Sequence, residues 1–340
     1  MIVDLHTRLW NSLAQFGAPV AEQLRRRKAD PWEDHSADPE EHLEAMEPVE
    51  RAVILGDEGA ALGGRISHEQ VAGYVSKQPD KLLGFAGIDP LARDPVMSLD
   101  NAMGLGLVGV VVSPAAAGFH PTDTRAMALF EACQHQRIPV LFESGIMLAR
   151  ESRMEFARPA LLDEVAREFP DLKIILGSGG DPWVSEGVAL MAKHPTIYAE
   201  IAGLIARPWQ LFNALLTAHQ LGTMDQVLFG SNYPHTTPEQ AIKTMYSVNT
   251  LTQGTQLPSV PREQLRSIVE RDTVKVLGLD REKPSPKRPA TEPTDAAEPA
   301  SAARRRRAMA RSGSGAPRSP WKSETARLII ASGLPPFAAR

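Results

Sequence analysis

Short apolar runs, each ended by a polar, glycine or proline step, recur at residues 2–5, 52–55, 82–88, 107–112, 139–142, 173–176, 196–201 and 227–229. Between them lie stretches with apolar residues three and four apart, at 67–77, 95–104, 122–136, 158–169 and 208–221, with two more at 238–251 and 262–277. The first pattern predicts strands and the second amphipathic helices. Residues 107–112 are apolar without alternation, the mark of a strand buried on both faces of a parallel sheet. Eight strands alternating with helices over about 280 residues is the count of a (β/α)8 TIM barrel, an α/β fold. An open doubly wound sheet is the main rival, but it needs neither eight strands nor polar residues at so many strand ends.

The polar residues that close these runs are the candidate chemistry. A period of two places Asp4 and His6 on one side of the first strand, and Arg8 continues the alternation. Glu143 follows the fifth strand, Ser178 the sixth and Asn232 the eighth. All carboxyl ends of a parallel barrel lie on one face, so Asp4, His6, Arg8, Glu143, Ser178 and Asn232 are expected to converge at its mouth. Two lone charges facing a narrow cavity are costly, so Arg8 and Glu143 are expected to form a direct ion pair. Asp181 and Pro182 are expected to supply an N-cap and a first-turn proline to the next helix. The connection at 11–48 is long for a compact domain and reads as a solvated insertion or a lid over the site.

Composition bounds this picture. Hydrophobic residues make up 43% and charged residues 23% of the 340, an ordinary globular balance. The net charge of −4 hides an asymmetry: residues 281–340 hold 13 Lys and Arg against 5 Asp and Glu, leaving 24 against 36 in the body. That segment is rich in Pro, Ala, Ser and Arg without periodicity and reads as a disordered tail after a barrel domain at 1–280. The arginine run at 304–307 is of a kind that touches nucleic acid or an acidic partner, although a solvated tail is the favoured reading. The single cysteine, Cys133, excludes a disulfide framework and a thiolate zinc site. No apolar run approaches a membrane span and no basic-then-apolar leader opens the chain, so a soluble cytoplasmic protein is expected. Oligomeric state is left open.

Several blocks carry a family likeness: Gly84-Phe-Ala-Gly-Ile-Asp-Pro90, residues 106–114 with Gly109 and Pro114, Phe169-Pro-Asp-Leu-Lys-Ile-Ile-Leu-Gly177, Pro182-Trp183, and Leu228-Phe-Gly-Ser-Asn-Tyr-Pro-His235. In this order they resemble the amidohydrolase-related (amidohydrolase 2) family of the metal-dependent hydrolase superfamily, over nearly all of residues 1–279. The resemblance implies hydrolysis or decarboxylation of small organic acids, usually with one divalent metal such as zinc. It also exposes substitutions. The family's first strand ends Asp-x-His-x-His, and here Asp4 and His6 match while Arg8 replaces the second histidine. Glu143 and Ser178 stand at histidine positions of strands five and six. Asn232 replaces the strand-eight aspartate, which binds metal and accepts a proton.

These replacements are chemically severe. Arginine offers no lone pair, and its fixed charge repels a cation. Serine and asparagine are weak neutral ligands, and Asn232 cannot take a proton from water. No cofactor is therefore expected. The favoured reading is a non-catalytic relative that binds a small organic acid or a partner protein. The alternative is a metal-independent hydrolase or decarboxylase, with His6 as acid/base, Arg8 as carboxylate or oxyanion clamp, and Asn232 as donor to a developing oxyanion.

Overall fold

Eight parallel strands follow one another around a single sheet in chain order: β1 (Val3–Thr7), β2 (Arg51–Leu55), β3 (Leu82–Gly87), β4 (Gly109–Val112), β5 (Val140–Phe142), β6 (Ile174–Leu176), β7 (Ile197–Glu200) and β8 (Val227–Leu228). The computed structural model describes residues 1–26, 37–59, 61–143 and 149–280, all within one unit, Met1–Ser285. The expected tail at 281–340 lies outside the described residues. The two end strands meet along a seam: Leu5 N donates to Phe229 O, Asn232 N to His6 O and Arg8 N to Tyr233 O, each at 3.1 Å. The result is a nearly closed TIM barrel.

Two apolar layers explain why the pattern folds this way. One buried cluster draws on every strand, with Val3, Leu5, Val53, Leu55, Phe85, Val111, Leu141, Ile175 and Leu228, and with Tyr198 packed against it. Leu83 and Val108 join it, and Val274, Leu277 and Leu279 come to it from the end of the barrel sequence. This is the barrel interior, a packed core and not a pore. The alternate strand residues, such as Ala52, Ile54, Val110, Val112, Phe142, Leu176 and Ala199, join the helices in the outer layer.

The helices that cover the sheet lie close to expectation where periodicity is strong: His68–Val75, Pro95–Gly104, Thr124–His135 and Pro208–Gln220. Elsewhere local chemistry intervenes. The helix expected at 158–169 is helical only over Leu162–Glu168, because Pro159 opens a separate 3-10 turn. The stretch at 262–277 breaks into Arg262–Val269 and Thr273–Leu277, with Asp272 capping the second by accepting from Lys275 N at 3.0 Å. After β6 the chain makes a 3-10 turn (Gly177–Gly180), and the next helix is Val184–Lys193 with Trp183 at its N-cap. Asp181 is therefore not the cap; it is buried and held by Arg207, while Pro182 precedes the helix.

Two features were not foreseen. A small antiparallel hairpin, Asp57–Gly59 with Gly64–Ile66, grows from the end of β2. In addition, the pairing of β1 with β2 shifts register between Asp4 and Thr7. Of the long first connection, Leu13, Ala37 and His42 are buried, and its short helix Pro39–Ala45 reaches β1 through His42, which meets Thr7.

Candidate functional site

The register shift in β1 decides where its polar residues go. Val3 and Leu5 belong to the interior layer, so Asp4 points to the opposite side. Its Oδ1 accepts from the backbone N–H of His6 at 3.1 Å and of Ser231 at 2.9 Å, locking the seam between β1 and β8. Burial, only partly offset by hydrogen bonds from Ser231 and His6, raises the Asp4 carboxyl to about 6. The expected sharing of one face by Asp4 and His6 does not hold. The shift turns His6 toward Glu200 at the end of β7, whereas Thr7 turns outward, donating to Val53 O at 2.8 Å.

His42, from the first connection, is wholly buried behind Thr7. Its Nε2 lies 3.1 Å from Thr7 Oγ1 and its Nδ1 2.9 Å from the Tyr74 hydroxyl. Burial, with a lesser contribution from Lys81, lowers the His42 imidazole to about 4. The connection thus contributes an internal brace to the strand that carries the site.

Two ion pairs stand at the carboxyl ends of the strands. Arg8 donates through Nη2 to Glu143 Oε1, with side chains 16% and 12% exposed. His6 Nδ1 lies 3.1 Å from Glu200 Oε1, and the Glu200 side chain has no exposure. Burial disfavours a charged His6, but the neighbouring Glu200 carboxylate, helped by Glu143, outweighs it and raises the imidazole pKa. Asp57, placed by the unforeseen hairpin, is electrostatically coupled to both Arg8 and Glu143; burial raises its carboxyl to about 6. His235 also feels His6 and Arg8, and burial above all lowers it to about 4.

Ser178 and Asn232 contribute through their backbones. Both adopt left-handed conformations, at φ 48° and 67°. Ser178 N donates to Glu200 Oε1, and Ser178 Oγ accepts from Gly203 N at 3.2 Å. Asn232 N donates to His6 O. The structure thus places His6 with Glu200 and Ser178, Arg8 with Glu143, Asn232 against His6, and Asp4 in the seam behind them.

A family model described as amidohydrolase matches residues 3–279. The chain belongs to the amidohydrolase family. No curated protein matches the sequence. Among solved structures, an uncharacterized TIM-barrel protein from Bordetella bronchiseptica is 20% identical, with 82% of this chain and 98% of that one covered at a TM-score of 0.62. The 5-carboxyvanillate decarboxylase of Sphingomonas paucimobilis is 13% identical, covering 82% and 99% at 0.55. An amidohydrolase from Burkholderia multivorans with bound zinc is 10% identical, covering 82% and 99% at 0.60. At these identities the likeness is one of fold.

Within this amidohydrolase-family barrel, sequence reasoning missed Glu200, Asp57 and His42. Glu200 had a visible signal, a carboxylate at the end of an otherwise apolar strand, Ile197–Glu200. Asp57 and His42 had none, because each depends on a local segment folding back. Among the described residues, no group of three or more His, Cys, Asp or Glu side chains is arranged to hold a metal ion.

Proposed function

We propose that this amidohydrolase-family barrel takes a small organic acid at its mouth without a catalytic metal. The Arg8–Glu143 ion pair carries the reading, since by the family resemblance both residues take the place of histidine ligands. The donor chemistry does not suit a divalent cation. A guanidinium has no lone pair to give, and Glu143 is already neutralised by it. Ser178 Oγ accepts a backbone N–H, and Asn232 carries a neutral amide. His6 alone is turned as a ligand histidine would be, with its Nδ1 on a carboxylate. One imidazole is a poor site beside a fixed positive charge.

An organic acid suits the same charge. Arginine grips carboxylates through its planar fork, and Arg8 Nε is buried with no protein partner. The solved structure named for decarboxylation of 5-carboxyvanillate, an organic acid, supports this ligand class. A melting-temperature screen of chelator-treated protein against small aliphatic and aromatic carboxylic acids tests the reading. Stabilisation by an acid in the native protein, absent in Arg8→Gln, is expected; no acid shifting the native protein would contradict it.

The His6–Glu200 hydrogen bond favours a second reading, metal-independent hydrolysis or decarboxylation. In it His6 moves the proton, Arg8 clamps the carboxylate and Asn232 donates to the developing negative charge. Release of product from the stabilising acid by chelator-treated protein, abolished in His6→Gln, is the expected result. An acid that binds and emerges unchanged would leave binding alone.

A further inference from the structure

Glu200 is the most completely engaged side chain at the mouth. Its Oε1 accepts from Ser178 N and meets His6 Nδ1 at 3.1 Å, and its Oε2 accepts from Ala202 N at 2.5 Å. The backbone that makes this possible is unusual. Ser178, Gly179 and Gly180 are all left-handed, at φ 48°, 69° and 80°, the kind of turn in which successive N–H groups form an anion-binding nest. Here the first N–H of the turn, that of Ser178, is given to a carboxylate of the protein, which takes its second backbone N–H from Ala202 after β7.

Two glycines keep the space open around it. A Cβ on Gly230 would stand 3.1 Å from His6 Cβ and 3.2 Å from Glu200 Oε2. A Cβ on Gly203 would fall 2.3 Å from Ser178 Oγ, displacing the loop that supplies the donors. The ends of β6, β7 and β8 are thus shaped around one carboxylate–imidazole contact.

A carboxylate has only acceptor oxygens, so Glu200, already accepting two backbone N–H groups, can only accept from a third partner. The hydrogen on His6 Nδ1 is therefore fixed there, whatever the charge of the ring. Left alone, a neutral histidine side chain prefers its hydrogen on Nε2. We propose that Glu200 is a positioning residue that holds neutral His6 in the less common Nδ1–H form and turns Nε2 to the ligand. It is Nδ1, and not Nε2, that meets the Glu200 carboxylate. The proposal rests on the reading that the mouth takes a small organic acid, for which Nε2 is the atom to be met.

The test is a multiple-bond proton–nitrogen correlation spectrum of the full chain labelled with nitrogen-15 histidine, His6 being assigned by the signal missing in His6→Gln. At a pH where the ring is neutral, native His6 is expected to carry its hydrogen on Nδ1. Glu200→Gln, which keeps the side-chain shape, is expected to move the hydrogen toward Nε2 and to weaken binding of the stabilising acid by about tenfold or more. A native spectrum with the hydrogen on Nε2 would overturn the proposal, as would a Glu200→Gln spectrum identical to the native one. The outcomes separate from those of the binding reading. If no acid shifts the melting of native protein while the spectrum is as expected, the binding reading fails and Glu200 keeps its role.

Discussion

Arg8, one residue past β1, forms its ion pair with Glu143, one residue past β5, on the far side of the strand order. The pair joins opposite walls of the barrel mouth and is largely shielded from water. Removing one partner strands the other. Arg8→Ala is expected to destabilise the fold by about 3–5 kcal/mol, while replacing both residues with apolar ones of similar size should cost far less. Chemical denaturation of the single and double variants measures the difference; equal losses would show that the pair is not the cause.

By the family resemblance, Arg8, Glu143, Ser178 and Asn232 occupy strand ends at which relatives place metal ligands. Arg8→His, Glu143→His, Ser178→His and Asn232→Asp introduced together are expected to bind zinc more tightly than the native protein does. Left-handed Ser178 and Asn232 can accept this exchange, since histidine and aspartate tolerate that conformation better than branched residues do. Zinc titration by calorimetry of both proteins reads the gain, and a quadruple variant that binds zinc no better than the native chain would disprove it.

Much of this arrangement is legible in the sequence because strand ends are written in a simple code. Apolar runs closed by Glu143, by Gly177-Ser178 and by the Ser231-Asn232 step mark the carboxyl ends of β5, β6 and β8, and the period of two locates the mouth. The Arg8–Glu143 pair follows from charge alone, since each is the other's cheapest partner. The side assigned to Asp4 fails because one register shift in β1 reverses the alternation before His6. Asp57 reaches the mouth on a hairpin of two three-residue strands, too short for any periodicity to register. Glu200 is visible as a carboxylate ending an apolar strand, but its role is not. Its meaning comes from the left-handed turn after β6, a backbone conformation the sequence Gly-Ser-Gly-Gly permits but does not dictate.

The buried histidine behind β1 gives the fold a distinctive pH response. His42 in the folded protein titrates at about 4, against 6.5 for an unperturbed imidazole. Above 6.5 both states are neutral there and stability is unaffected. As pH falls from 6.5 toward 4 the unfolded chain binds a proton that the folded one refuses, so stability is lost, by up to about 3 kcal/mol. Asp57, raised from 3.8 to about 6, acts oppositely: the unfolded chain ionises first, and stability falls as pH rises between those values. The stability advantage of native protein over His42→Gln is therefore expected to shrink steadily from pH 6.5 to pH 4. An advantage that stays constant or grows over that range in denaturation series would contradict a neutral buried His42.

On the proposed reading, the positive charge of the mouth belongs to Arg8 and not to a metal. The most direct test is the melting temperature of chelator-treated protein with zinc or manganese alone, with a small carboxylic acid alone, and with both. The account predicts that an acid raises the melting temperature, that neither metal does, and that adding metal leaves the acid's effect unchanged. Stabilisation by zinc or manganese, or an acid effect that appears only when metal is present, would contradict it.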